Sequence, residues 1–383
     1  MIAIFGSIMA FGVFGGFSGL AGRAATSDPF DAMPKASFIV ATVDFAELRR
    51  SPMYEAAFGK EASATDPMRR ALGVSALANA CGFDPMTRVQ RIAVSVPEEG
   101  VRGEFGVAAR VEVTRDELEK CTRSLAEQRG GRAETRDVGS FVVLEDKSLG
   151  GALAPRLAYG RGGLLVVGKG AWFDAMLGAA DRTRPGVRDA AEHGALRKSL
   201  TSREGFRTPT ALVTAILPRS LRERLKGEMA AELGAPDLSN TVMAGVLGVS
   251  ALGVALHVGG PGQNVDALVE LVCDSAEACE AVERLVLKKR TEWSSDLALR
   301  MIGFGPLLDS LEVKRDGGHL RASATANGDA LAATLDRVLK LRAGREGRSG
   351  GEPPPRRPEP RRTPAGETIP ARPDAGDAGA AGP

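Results

Sequence analysis

The strongest constraint on this chain is that part of it recurs. Ile92–Leu118 aligns with Leu252–Ala278 over 27 residues without a gap, at a constant offset of 160. Val94 falls on Val254, Gly100 on Gly260 and Glu117 on Glu277. A shorter match lies upstream, where FIVATVDFAEL (38–48) aligns with ALVTAILPRSL (211–221), Val40 on Val213 and Leu48 on Leu221. Two runs with the same apolar rhythm select the same backbone period, so one local structure is expected twice.

That structure can be read residue by residue. IAVSV and LGVAL are strands, each followed by a glycine-bearing turn (PEEGVRG and GGPGQN) and a second strand (EFGVAARVEV and VDALVELV). Each second strand runs into a capping-box pattern, TRDE at 114–117 and DSAE at 274–277. In that box the first side chain accepts from the N3 amide while the glutamate reaches back, so helices are predicted over Arg115–Gln128 and Ser275–Arg290. Both stretches then close with strand, Gly-Gly turn, strand and helix, as in LAYGRGGLLVVG with AWFDAMLGAAD and LEVKRDGGHLRASA with DALAATLDRVLKL. The first carries extra strand material at 132–146, where the second has a helix-like run near 294–310. LGVSAL occurs at both 72–77 and 247–252, but its offset of 175 conflicts with 160. The first copy lies in a helical pattern and the second enters a strand, so the identity is read as coincidence.

The order of elements predicts an α+β fold of two related halves, with largely antiparallel sheets and packed helices. The first domain is expected over 34–206 and the second over 207–342.

The ends differ from the body. Ile2–Ala21 is twenty residues without a charge, long enough as a helix to reach about 30 Å and cross a bilayer core. A signal peptide (1–24, cleaved after Ala21 or Ala24) and an uncleaved transmembrane anchor both fit. No Lys or Arg precedes Arg23. Residues 25–33 read as a polar linker. Nine of the 22 prolines lie within 343–383, a segment too poor in apolar side chains to offset its ordering entropy, and it is expected to be disordered. Its PPPRRPEPRR tract (353–362) favours polyproline II.

Composition excludes several functions. With 50 Lys+Arg against 48 Asp+Glu the net charge is +2, and aromatics are 5%, which argues against a nucleic-acid partner. GLLVVGKG (163–170) resembles a phosphate-binding loop but lacks the Ser/Thr that would hold Mg²⁺, and its four spacer residues are apolar as in a buried strand. His193, His257 and His319 have no ligand-spaced partner, so no metal site, catalytic set or cofactor site is assigned. Four cysteines remain. Pairing within each half gives Cys81–Cys121 and Cys273–Cys279, and an oxidising compartment favours the bridges over buried thiols.

The organisation over Phe38–Arg342 resembles that of uncharacterised, duplicated α+β exported or membrane-anchored proteins of high-GC bacteria. The resemblance carries no motif and implies no activity. Two functions are expected from these observations. The first is a non-catalytic cell-envelope protein, attached through residues 2–21 on the periplasmic side, presenting a duplicated body to a protein partner or as a scaffold. The second is a small-ligand-binding protein or enzyme with its site in the groove between the halves.

Overall fold

Consecutive apolar residues in Ser37–Asp44 and Val89–Pro97 make each a strand that can face a core on either side, and their neighbours extend them into a sheet. The computed structural model describes residues 26–58, 74–98, 104–146, 154–202, 206–233 and 242–349. The apolar stretch 2–21 and the Pro/Arg-rich residues from 350 onward lie outside them. Among the described residues no helix is long and apolar enough to cross a membrane. The body runs through Leu341, and Arg342 onward forms a second unit described only as far as Ser349.

In chain order β1 (Ser37–Asp44) leads through the short helices α1 (Phe45–Leu48), α2 (Pro52–Phe58), α3 (Val74–Cys81) and α4 (Pro85–Arg88) to β2 (Val89–Pro97). Then come β3 (Gly106–Val111), α5 (Arg115–Gln128), β4 (Ala133–Val138), β5 (Phe141–Asp146), β6 (Pro155–Gly160), β7 (Leu164–Lys169) and α6 (Gly170–Ala180). The connecting helix α7 (Ala191–Thr201) leads into β8 (Ala211–Ile216). Beyond it lie α8 (Arg219–Leu233), α9 (Val242–Leu247), β9 (Val249–Val258), β10 (Asn264–Cys273) and α10 (Ala276–Ser295). Finally come α11 (Leu297–Ile302), α12 (Gly305–Asp309), β11 (Glu312–Asp316), β12 (His319–Asn327) and α13 (Gly328–Ser349).

Helices therefore flank one large antiparallel sheet of 12 described strands, in the order β11-β12-β10-β9-β8-β1-β2-β3-β7-β6-β5-β4. The junction is β1 against β8, with Ile39 opposite Ala215 and Val43 opposite Ala211. The aligned blocks are β2-turn-β3-α5 and β9-turn-β10-α10. Their hairpins differ in register: Ile92 faces Ala109, whereas Leu252 faces Leu271 rather than Val269. A slip of two residues leaves every side chain on its original face, which is why the pattern tolerates it.

Around β1–β7 both faces of the sheet are covered. Leu77, Leu118, Cys121 and Leu125 on α3 and α5 pack on one face with Ile92, Ala109, Leu144 and Val167. Phe30, Met33, Phe173 and Met176 pack on the other with Ala93, Ala108, Phe141 and Val166. Full burial of side chains such as Phe173 stabilises by roughly 1.5–3 kcal/mol each. Around β8–β12, α10 covers one face through Cys279 and Val282, and α7 covers part of the other through Leu200.

Local expectations meet the structure unevenly. Thr114 caps α5 in a complete box with Glu117. At the second box the cap is Ser275, which accepts from Ala278 N, while Asp274 pairs with Arg222 instead. GLLVVGKG contains the buried strand β7 rather than a phosphate loop. The first LGVSAL copy leads into α3 and the second into β9. The segment read as a linker is docked: Phe30, Ala32 and Met33 are buried and Val187 N donates to Met33 O. Helix α13 runs past 342 to Ser349.

Helix α7 straps the junction. His193, Leu196 and Leu200 repeat at helical spacing and form its buried face. The helix lies so close that a Cβ on Gly253 would sit 2.5 Å from Leu200 Cδ1. His193 Nε2 donates to Ser37 O at 2.8 Å, since a carbonyl only accepts, and Nδ1 then accepts from the Thr214 hydroxyl at 2.8 Å. One side chain thus touches the residues at the start of β1 and within β8.

Burial pushes the His193 imidazole below its ordinary 6.5, the hydrogen bond to Ser37 opposing this. Protonation is then favoured by the unfolded chain. Stability is full above pH 6.5 and declines as the pH falls from 6.5 toward the lower folded-state value. Denaturant titrations between pH 7.5 and 5 are expected to show this slope, and His193→Gln is expected to flatten it while lowering stability at pH 7.5.

Candidate functional site

Above the β1–β8 junction the strand ends, α7 and the N-terminal segment enclose a cleft of about 240 Å³. Its lining includes Arg91, Arg188 and Arg197 against Asp28 and Asp44, with the hydroxyls of Thr42, Thr201, Thr208 and Thr210. Each comes from a different piece of backbone logic. Asp28 caps the 3-10 turn Pro29–Ala32, its Oδ1 accepting from Phe30 N at 3.1 Å. Asp44 ends β1 and caps α1. It faces Arg91 across the β1–β2 ladder, where Arg91 Nη2 donates to its Oδ2 at 3.1 Å. Arg188 sits on the turn Val187–Asp189 before α7, and Arg197 lies on α7 one turn after His193.

Phe30 organises the guanidiniums. Its ring carries Arg197 at 3.9 Å from the centroid and Arg188 at 5.5 Å. A planar guanidinium stacks well on an aromatic face, and the attraction grows as water is removed. Arg188 also pairs with Asp31 and lies 3.4 Å from Asp28 Oδ2. Arg197 is different. Among the described residues its guanidinium makes no ion pair and one hydrogen bond, from Nη2 to Thr42 Oγ1 at 3.3 Å, and its Nη1 is buried without a partner. Burial pushes its pKa down to about 10, against the pull of Asp28 and with the push of Arg188 and Arg91. It stays charged at neutral pH, and it has donors left over.

A second polar cluster lies farther along the sheet, beside a cavity of about 340 Å³. Glu270 on β10 is 2% exposed and accepts from Ser199 of α7, from His319 Nδ1 at 3.1 Å and from Arg321 Nη2 at 3.4 Å. Burial alone would raise its carboxyl; the bonds from Ser199, Arg321 and His319 outweigh that and hold it below its ordinary value. The serine donates to the carboxylate and not to the histidine, so the three do not form a nucleophile–base relay. Its oxygens are spent on structure.

Cys81 at the end of α3 is bonded to Cys121 on α5, and Cys273 at the end of β10 is bonded to Cys279 in α10, with Cα atoms 5.6 Å apart in the latter pair. The three histidines are not near one another: His193 lies under α7, His257 is bonded to Thr208 O, and His319 meets Glu270. Among the described residues no group of three or more His, Cys, Asp or Glu could hold a metal ion. Sequence reasoning missed both the arginine cleft and the Glu270 cluster. No local spacing connects Arg91 to Arg197 or Ser199 to Glu270, and only the strap of α7 brings them together.

No family model matches the chain, and no curated protein matches it. Among solved structures the chain is similar to two crystal forms of TP0453. Form III is 11% identical, with a TM-score of 0.43, covering 81% of this chain and 98% of that one. Form I is 10% identical, with a TM-score of 0.41, covering 82% and 100%.

The Glu270 cluster gives a testable energetic role. A buried carboxylate held by three donors stabilises the fold while it is ionised. Because its folded-state pKa is lowered, that stability is present above the ordinary 4.5 and is lost as pH falls through the folded value. Glu270→Gln is expected to cost roughly 1–3 kcal/mol at pH 7. The difference from wild type should shrink below pH 4.5 in paired denaturant titrations.

Proposed function

We propose that the chain is a non-catalytic binding protein of the cell envelope, held at a membrane through residues 2–21, with its ligand site in the cleft over the β1–β8 junction. The observation that carries this reading is Arg197, a charged guanidinium kept against Phe30 with no carboxylate of its own. A protein that used this arginine only for structure would be more stable with the charge removed or paired. The groups that converge around it are guanidinium and hydroxyl donors with the carboxylates of Asp28 and Asp44, an arrangement that can hold and orient a ligand.

The body is read as a duplication with the cleft at its seam. Outward from the junction the strand order is β1-β2-β3-β7-β6 on one side and β8-β9-β10-β12-β11 on the other. In both, a helix follows the third strand and another follows the fourth. This supports, with the gapless recurrence in sequence, two copies joined edge to edge by their first strands. The hairpin β4–β5 belongs to the first copy alone. The two intrachain bridges support an oxidising compartment, where such bonds persist.

The compartment and the attachment are tested on one preparation. Full-length protein is expected to sediment with membranes after a high-salt wash, and a variant lacking residues 1–21 to appear in the soluble fraction. Peptide mapping of the sedimented protein without reductant should give Cys81 joined to Cys121 and Cys273 joined to Cys279. Soluble full-length protein with four free thiols would overturn the envelope assignment.

A further inference from the structure

The cleft already holds a carboxylate that belongs to the chain. Asp28 uses Oδ1 to cap its own turn, which leaves Oδ2 for the arginines. That oxygen lies 3.4 Å from Arg188 Nη2 and 3.9 Å from Arg91 Nη1, spanning two guanidiniums that come from different elements. Both contacts are loose by the standard of a charge-assisted bond, which closes to about 2.7–2.9 Å. Asp28 does not reach Arg197, which has no ion-pair partner among the described residues. The bridging group is therefore a loose second partner to two arginines already paired with Asp44 and Asp31, and it leaves the third guanidinium alone.

The lining has an unpaired cation and the size for one more anionic group. Arg91 pairs with Asp44 and Arg188 with Asp31, so a single added negative charge would partner Arg197, which takes part in no ion pair among the described residues. Thr210 is 3% exposed, accepts from Val258 N, and has no acceptor for its own hydroxyl proton among the described residues. Guanidinium forks match the paired oxygens of carboxylates and phosphates, and hydroxyl donors complete such a shell. A space of about 240 Å³ takes a compact headgroup and not a chain of them.

We propose that the junction cleft binds a compact oxyanion, a carboxylate or phosphate group, which displaces the placeholder Asp28 from Arg91 and Arg188 and engages Arg197. The inference rests on the reading of this cleft as the ligand site and adds the ligand's chemistry and its internal competitor. Asp28 is one-third exposed, so its carboxylate can turn to water when displaced.

The test is calorimetric titration of the full-length protein with inorganic phosphate and with succinate, at constant ionic strength against chloride. Saturable binding of one or both is expected, and which one binds tells the phosphate source from the carboxylate source. Arg197→Met should weaken binding at least about tenfold, the loss of one bidentate charged partner. Arg188→Gln, at a side chain 61% exposed, should weaken it without disturbing the fold. The distinguishing variant is Asp28→Asn, whose amide oxygen still caps the turn while the competing charge is gone. It should bind roughly three- to fivefold tighter, the size of an exposed ion pair. A structural role for Asp28 predicts weaker binding or none, and that result overturns the proposal, as does absence of saturable binding of both anions. If neither anion binds but an uncharged or cationic compound raises the melting temperature of wild type and not of Thr42→Val, the oxyanion assignment falls and the cleft stands. If no compound does so, the ligand site itself is misplaced.

Discussion

Everything in this molecule depends on the pairing of β1 with β8. Every other ladder joins strands on the same side of that line. The two strands are far apart in the chain, so their meeting carries a loop-closure cost that a tight hairpin does not. The ladder from Ile39 to Val43 is short, and α7 reinforces it. His193 is the clearest case. A buried imidazole whose two nitrogens reach Ser37 and Thr214 is satisfied only when both strands are in place. Leu196 and Leu200 add apolar burial, and the missing side chain at Gly253 lets the helix settle close enough for the histidine to reach. The apolar contacts supply affinity between helix and sheet. The histidine supplies registration.

The same geometry creates the cleft. Strands end at the junction, and their terminal residues are polar because they meet solvent and turn into caps. Asp44 closes β1 and Arg91 faces it across the ladder. Over these ends lie two segments whose apolar residues are buried elsewhere, the turn at Pro29–Ala32 and the start of α7. Phe30 is common to both environments. Its backbone belongs to the docked segment, the residue is 9% exposed, and its ring carries Arg197 of the strap and Arg188 of the turn before it. A side chain buried for stability therefore fixes the donors of the site.

Much of this fold could be read from residue order, and the site could not. The strand–turn–strand–helix block was legible because it depends on period and on caps such as Thr114 and Glu117, all local. Cys273 and Cys279 stand six positions apart, at the end of a strand and in the helix after it, so their proximity is also a local matter. Residues 25–33 read as a linker because their composition is polar, whereas Phe30 and Met33 are buried. Phe30 and Met33 are too few to mark a core segment until the α6–α7 connection is there to receive them. Nothing in the sequence neighbours of Arg197 records that Thr42 and Phe30 lie beside it. Contacts between distant segments are set by packing of whole elements, and sequence pattern constrains that only coarsely.

If the body is the duplication we propose, the question arises how it can have a single site. Whatever the strands of one copy offer, those of the other offer again, and a two-fold arrangement of equal groups gives two equal half-sites. Elements without a counterpart remove that equivalence. On the duplication proposed here they are the docked segment Thr26–Met33 and the connection from Val187 through α7. Asp28, Phe30, Arg188 and Arg197 all come from these two pieces. Thr42, Asp44 and Arg91 come from one copy and Thr210 and Leu212 from the other. The repeated part thus supplies the floor of the cleft, and the unrepeated part supplies its competing anion, its aromatic plate and two of its three guanidiniums. That division would explain why the recurrence, so informative about the sheet, is silent about the cleft: on the proposed duplication the recurring residues form the sheet, and Asp28, Phe30, Arg188 and Arg197 lie in segments that occur once.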